Sequence, residues 1–253
     1  KIMSNKRVIA RLDVKGKNLI KSVHLEGLRI IGDPQSHAEQ YYLDGADEIL
    51  YMDTVASLYG RNNLSEIVER TAENVFIPIT VGGGIRSVTD VRNLLRCGAD
   101  KIALNTAAIE TPHLISDIAS IFGSQCVVLS IEVLRNPDGG WWVFTSNGRE
   151  KARYELLEWV STAVELGAGE ILLTSIDYEG TNKGYDLELL ELVTNTVNVP
   201  VIISGGMGRE LDMVTAVSRG ADAIAVADLI HYKKMTISQI KKFAHNNSVS
   251  VRI

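Results

Sequence analysis

Thr80-Val81-Gly82-Gly83-Gly84-Ile85 recurs further along the chain as Ile202-Ile203-Ser204-Gly205-Gly206-Met207. The same offset carries Pro78 onto Pro200, Asp90 onto Asp212, Gly98-Ala99-Asp100 onto Gly220-Ala221-Asp222 and Ile102-Ala103 onto Ile224-Ala225. Upstream it carries Gly45-Ala46 onto Gly167-Ala168 and Glu48-Ile49-Leu50 onto Glu170-Ile171-Leu172. Self-similarity at a fixed period marks repeated structural units. Each copy reads as a series of strand, glycine turn and helix. In 253 residues, that duplication predicts an α/β fold, a closed (β/α)8 TIM barrel occupying residues 1–253 as a single domain, with half-barrels of about 1–123 and 124–253.

Short runs rich in Val, Ile and Leu alternate with stretches of helical period, the pattern of a parallel sheet. Strands are expected at Arg7–Asp13, Glu48–Asp53, Ile77–Val81, Lys101–Leu104, Cys126–Glu132, Glu170–Ser175, Val201–Ser204 and Ala223–Ala227. Helices are expected between them, among them Ser87–Cys97, Thr111–Phe122, Tyr154–Leu166 and Arg209–Arg219. Asn136-Pro137-Asp138-Gly139-Gly140 is turn chemistry, so Trp141–Thr145 reads as an extra hairpin strand. Trp141 and Trp142 are expected to pack that flap, and Gly184-Tyr185-Asp186 to shape the loop after the sixth barrel strand.

A net charge of −5 and a pI near 5.6 leave no basic stripe for nucleic acid and none for a membrane surface. Cys97 and Cys126 stand far apart among apolar neighbours and read as buried free thiols of a reducing compartment. The start, Lys1-Ile2-Met3-Ser4-Asn5-Lys6-Arg7, has no apolar leader, and no long apolar run follows, so a soluble cytoplasmic protein is expected. His24, His37, His113, His231 and His245 show no metal-ligand spacing and read as surface or loop residues; no metal and no cofactor is expected.

Alternation along a strand sorts side chains by face. Arg7, Ile9, Arg11 and Asp13 share one side of the first strand; Glu48, Leu50 and Met52 share one side of the second. Lys101, Ala103 and Asn105, and likewise Glu170, Leu172 and Thr174, line up on the fourth and sixth. With these sides inward, Arg7, Glu48, Lys101 and Glu170 form a ring at the N-terminal mouth, where two acids and two bases neutralise one another. From the residues alone the ring reads as a plug of the floor, since that face usually serves stability. At the opposite mouth, Asp13 and Glu132 end equivalent strands of the two halves, so they should face each other and can share general acid–base work. Gly82-Gly83-Gly84, Asn105-Thr106, Gly205-Gly206 and Ala227-Asp228 surround them. Glycine turns before helices aim backbone N–H groups outward, and two such turns at two-fold positions suit a ligand with a phosphate at each end.

Arg11-Leu12-Asp13-Val14-Lys15, Gly32-Asp33-Pro34, Val81-Gly82-Gly83-Gly84-Ile85-Arg86-Ser87 and Asn105-Thr106-Ala107-Ala108 closely resemble the cyclase subunit family of imidazole glycerol phosphate synthase. Phe122-Gly123-Ser124-Gln125, Gly167–Ser175 and Ser204-Gly205-Gly206 extend the match over almost the whole chain. The resemblance implies a heterodimer with a glutaminase subunit, whose ammonia enters at the barrel floor and reacts at the far mouth. The substrate implied is a bis-phosphorylated ribulosyl aminoimidazole carboxamide ribotide. The products are imidazole glycerol phosphate, on the way to histidine, and an aminoimidazole carboxamide ribotide. By the same resemblance Arg7, Glu48, Lys101 and Glu170 match the ammonia gate, Asp100 the partner-docking position and Asp13 a catalytic aspartate. Lys21 matches a loop lysine that closes on substrate. Gly82, Gly83, Asn105, Thr106, Gly180, Gly205, Gly206, Ala227 and Asp228 match phosphate-side positions, and Thr174 and Ser204 match lining hydroxyls.

The departures gather at the reaction end. Glu132 stands where the family has its second catalytic aspartate, and a displacement of about 1 Å can lower a rate about a hundredfold. Asp228 stands where a small residue, typically serine, offers its N–H to phosphate; a carboxylate there repels a dianion unless turned away or paired. Glu179 replaces an aspartate, Asn182 a lysine, and Lys151-Ala152-Arg153 a smaller Thr-Gly loop. Arg11 replaces an interior cysteine below Asp13; it is expected to bond Glu132 or Asp13, depressing that acid's pKa, and to narrow the interior path. One reading is a divergent cyclase with Asp13 as general acid and Glu132 as general base. Another is a paralogue that relays ammonia to a separate sugar amidotransferase of surface-polysaccharide synthesis. A scaffold that only stimulates a glutaminase, and a phosphosugar isomerase on the same barrel, are the remaining alternatives.

Overall fold

The computed structural model describes residues 5–55 and 64–253. Residues 1–4, part of the stretch read for a leader, and 56–63 lie outside the described residues. The first barrel strand, β1 (Arg7–Lys15), runs beyond its expected end into a hairpin of β2 (Asn18–Val23) and β3 (Glu26–Gly32), which the sequence reading did not anticipate. Helix α1 (Pro34–Leu43) follows, started by Asp33, whose side chain accepts from Ser36 N at 2.8 Å. Strand β4 (Glu48–Asp53), helix α2 (Leu64–Ala72), strand β5 (Ile79–Gly82), helix α3 (Val88–Arg96) and strand β6 (Lys101–Leu104) continue the alternation. A short helix α4 (Thr106–Glu110) then precedes α5 (His113–Phe122).

The second half repeats this order. Strand β7 (Val127–Arg135) continues into β8 (Trp141–Thr145) and β9 (Glu150–Glu155), followed by α6 (Leu156–Glu165). The expected helix at Tyr154–Leu166 therefore starts later, because Tyr154 and Glu155 still belong to a strand paired with β8. Strand β10 (Glu170–Ser175), helix α7 (Leu187–Thr194), strand β11 (Val201–Ser204), helix α8 (Leu211–Ser218) and strand β12 (Ala223–Val226) complete the barrel. A short α9 (Asp228–His231) and the closing α10 (Ile237–Asn246) follow.

Among the described residues, eight parallel strands close in the order β1, β4, β5, β6, β7, β10, β11, β12, the last returning to β1. Ile9, Leu50, Met52, Ala103 and Leu172 fill the interior, on the faces that alternation assigned inward, together with Val128, Ile202, Ala223 and Ala225. The other faces of the strands pack beneath the helices in a larger apolar core that includes Trp141 and Trp159.

The recurring Gly-Ala-Asp triplet has a structural cause. Gly45, Gly98 and Gly220 end their helices at φ of 93°, 110° and 102°, a region closed to most side chains. The following Ala46, Ala99 and Ala221 are buried. Asp47, Asp100 and Asp222 then accept from Val8 N at 2.8 Å, Ile79 N at 2.8 Å and Val201 N at 3.2 Å, each tying the start of one strand to its neighbour. In the fourth copy Gly169 takes the aspartate's place, where a Cβ would lie 2.2 Å from Ser124 O.

Candidate active site

Register places the two acids. Asp13 on β1 pairs with Met52 of β4, and Glu132 on β7 pairs with Thr174 of β10, the residue that the internal repeat aligns with Met52. Strands β1 and β7 lie on opposite sides of the barrel. Asp13 and Glu132 thus occupy equivalent, opposed positions at the C-terminal mouth, and both are buried.

Arg11 lies one inward step below Asp13 and is among the largest fully buried side chains. Its Nε donates to Asp13 Oδ1 at 2.9 Å, and its Nη1 donates to Thr174 Oγ1 and Ser204 Oγ, both at 3.0 Å. The guanidinium therefore reaches from β1 past β12 to β11 and β10, above the small side chains of Ala223 and Ala225. Of the two acids foreseen as its partner, it is Asp13 that Arg11 bonds. Burial opposes the guanidinium's charge, but Asp13, Glu179 and Glu132 outweigh burial and hold its pKa above the ordinary arginine value.

Glu132 receives Gly148 N at 2.8 Å. Burial pushes its carboxyl up to about 7; the attraction of Arg11 and the Gly148 bond only partly offset burial, and the charge of Asp13 adds to it. Two carboxyls at equivalent places thus sit in unlike surroundings. One oxygen of Asp13 is tied to a cation, while its Oδ2 is buried with no hydrogen-bond partner among the described residues.

Two clefts flank the acids. Gly83, Gly84, Asn105, Thr106 and Glu132 line the larger, and Gly180, Ser204, Gly205, Gly206, Ala227 and Asp228 line the smaller. Gly82 stands beside the first cleft as the last residue of β5. Gly83 and Gly206 have φ of 98° and 110°, and a Cβ there would meet Asp53 O at 2.3 Å and Gly184 O at 2.0 Å. Each cleft also abuts the start of a short helix, α4 after Asn105 and α9 after Ala227. Helix starts leave N–H groups without intrahelical partners, which suits oxyanions. Asn105 Oδ1 is buried and unpartnered, and Thr106 Oγ1 accepts from Ser146 N at 3.0 Å.

Asp228 at the start of α9 is paired with Lys234 at 2.7 Å, one of the two conditions under which a carboxylate is tolerable beside a phosphate. Lys21 on β2 is buried over the mouth; its ammonium binds Glu179 and Ser22 O. Gly180 lies against the same hairpin, where a Cβ would meet Ser22 O at 2.8 Å.

At the floor, Arg7 donates to Glu48 at 2.9 Å and to Glu170, while Lys101 donates to Glu48 at 2.7 Å and to Glu170 at 2.8 Å. Thr80 adds a hydrogen bond to Glu48. Acid and base alternate around a closed ring. Asp100 lies on the same face, with one carboxylate oxygen committed to Ile79 N.

Among the described residues no group of three or more His, Cys, Asp and Glu side chains could hold a metal ion, and no helix is long and apolar enough to cross a membrane. His231, expected at the surface, is buried; its Nδ1 lies 2.7 Å from Tyr41 Oη, because α9 presses it onto α1. Trp141 packs the flap as expected, with its indole N–H on Asp186 at 3.1 Å. The Lys21–Glu179 and Asp228–Lys234 pairs escaped the sequence reading, since each joins residues whose separation carries no periodic signal.

The family model for histidine biosynthesis proteins matches residues 7–236. An imidazole glycerol phosphate synthase subunit HisF from Legionella pneumophila is 67% identical over 207 residues, covering 82% of this chain and 98% of the relative. Proteins of the same name from Corynebacterium diphtheriae and Methanopyrus kandleri are each 47% identical; the first match covers 93% of this chain and 94% of the relative, the second 98% of both.

Proposed function

The chain belongs to the histidine biosynthesis protein family, and we propose from that membership that it is the cyclase-type subunit of an imidazole glycerol phosphate synthase. It combines ammonia with the bis-phosphorylated ribulosyl precursor and releases imidazole glycerol phosphate, an aminoimidazole carboxamide ribotide and water. The observation that carries this reading is the opposed placement of Asp13 and Glu132 between two glycine-and-helix clefts. A substrate with a phosphate at each end spans both clefts and lays its reacting centre over both carboxyls. Forming a C–N bond from ammonia requires a proton to leave nitrogen, and expelling the aminoimidazole nitrogen requires one to be supplied; two carboxyls can divide those tasks. Lys21, held down on Glu179, covers the mouth, which excludes water and strengthens electrostatic interactions inside.

The partner proposed is a glutaminase docked on the floor around Asp100. Ammonia passes the ring of Arg7, Glu48, Lys101 and Glu170 only when ion pairs of that ring part, and the apolar interior above favours neutral ammonia over ammonium. The test is turnover of the bis-phosphate substrate by the isolated chain with an ammonium salt replacing the glutaminase. Formation of imidazole glycerol phosphate is expected. A folded chain that binds substrate and gives no product overturns the cyclase reading, and intact stimulation of glutamine hydrolysis in the same chain would fit an ammonia relay.

A further inference from the structure

Asp13 and Glu132 are equivalent in register and unlike in everything that touches them. Asp13 is bonded through Oδ1 to a guanidinium that is itself anchored on two hydroxyls, Thr174 and Ser204. Glu132 is bonded to a backbone N–H, Gly148, and makes no ion pair among the described residues. A carboxyl bonded to a buried cation is held ionised, whereas a buried carboxyl without one favours its proton. We propose that Arg11 is a positioning residue that separates the two roles: it fixes Asp13 as the carboxylate that takes a proton and leaves Glu132 as the acid that gives one. This rests on the cyclase reading and reverses the assignment that resemblance alone suggests.

The geometry fits each step. The unpartnered Asp13 Oδ2 is the oxygen free to take the proton from the ammonia nitrogen as its bond to carbon forms. Glu132 lines the larger cleft and can protonate the departing aminoimidazole nitrogen as its bond to carbon breaks. At the carbon that exchanges one nitrogen for the other, one proton is taken and one given, the ribulosyl carbonyl oxygen leaving separately as water with two hydrogens of the ammonia, so a single proton passing from Asp13 to Glu132 after product release restores the pair. Burial, which holds the Glu132 carboxyl up to about 7, keeps that donor loaded near neutral pH. Other charges face the pair: Arg149 on the β8–β9 turn, the Lys21–Glu179 pair above, and Asp53, Arg86, Glu110 and Glu150 around the larger cleft. Neutral His231 lies beneath the hairpin lysine. All are shared by the wild type and the variants below, so a difference between them reports Arg11.

The experiment measures kcat against pH with ammonium salt, alongside carbon-detected NMR titration of the Asp13 and Glu132 carboxyls, in the wild type, Arg11→Met, Arg11→Lys and Glu132→Gln. In the wild type the fall of kcat at alkaline pH should follow the titration of Glu132. Arg11→Met removes the cation and should raise the titration of Glu132, which Arg11 holds down. The acid-side fall of kcat then moves up, and each unit of movement lowers acid-side kcat about tenfold. Arg11→Lys keeps the charge and should return both limbs of kcat toward the wild type. Glu132→Gln leaves Arg11 in place and should abolish the alkaline fall of the residual activity. A uniform drop in kcat with unmoved limbs in Arg11→Met, or an alkaline limb that persists in Glu132→Gln, overturns the proposal. A wild type that never turns over fails the cyclase reading instead. The carbon titrations still decide whether Arg11 sets the carboxyls apart, and a Glu132 titration unmoved in Arg11→Met refutes it.

Discussion

One methylene separates Glu132 from the aspartate that the resemblance implies at this position, and the structure shows where that length goes. The carboxylate reaches Gly148 N on the β8–β9 turn at 2.8 Å. Shortening the side chain leaves that N–H without its acceptor and draws the acid back toward β7. Glu132→Asp should therefore lower ammonium-dependent kcat about ten- to a hundredfold, and steady-state assays that instead show a gain would prove the spacing to be the defect. Asp228 poses the complementary question. Its charge is shared with Lys234, which is half exposed, so only part of its repulsion reaches a bound phosphate. Calorimetry with the bis-phosphate substrate should rank affinity as Asp228→Ser above wild type, and wild type above Lys234→Met, which leaves the carboxylate unpaired. An unchanged affinity in both variants would mean that the carboxylate does not face the ligand.

On the proposed function, closure of the site belongs to an element, the β2–β3 hairpin. Lys21 on Glu179, His24 N on Glu179 O at 3.0 Å and the close approach of Gly180 to Ser22 O hold it onto the loop after β10. Removing one partner of a buried ion pair costs roughly 3–5 kcal/mol because the other charge is left unpaired. Glu179→Gln should release the hairpin locally instead of unfolding the barrel: amide exchange in residues 18–32 should quicken on the order of a hundredfold while β10 and β11 stay protected. Equal protection in both proteins would show that the ion pair does not hold the hairpin. This element was also the least legible in the sequence. The β3 strand is mostly exposed, so it carries no alternation between apolar and polar residues to announce it. The matching flap after β7 was legible because β8 alternates buried and half-buried residues behind a glycine turn. Its second strand, β9, has no buried residue; the sequence reads its Lys151-Ala152-Arg153 as a loop and its last two residues, Tyr154 and Glu155, as the start of the helix behind it.

At the scale of the molecule the barrel was legible because duplication repeats its devices, from the Gly-Ala-Asp strand ties to the paired glycine turns. Which residues could meet at each mouth followed from strand parity. Which of them bond did not: Arg11 could have turned to either acid, and its choice depends on hydroxyls supplied by β10 and β11. The same limitation concealed His231, whose burial against Tyr41 depends on how α9 lies across α1. Burial, followed by the charges of Lys21 and His37, holds its pKa at about 3 against an ordinary 6.5. A depressed folded-state pKa contributes stability that is present above about 6.5 and lost as pH falls toward 3. Glu132 works in the opposite sense, since its folded pKa of about 7 exceeds the ordinary 4.5, giving stability present below 4.5 and lost as pH rises through 7. Between these limits the unfolded chain takes up a proton at the histidine position while the folded one already holds a proton on Glu132, so the two contributions oppose. Urea unfolding at pH 7 and at pH 4.5 isolates each. From the two groups alone the wild type should change little between those conditions. Glu132→Gln should lose stability on going to pH 4.5, and His231→Gln should gain it, each by an amount on the order of 2 kcal/mol. Because the comparison is made across pH within each protein, packing losses that do not depend on pH cancel. Slopes of the same sign in the two variants would show that one of these side chains is not held in the protonation state its burial requires.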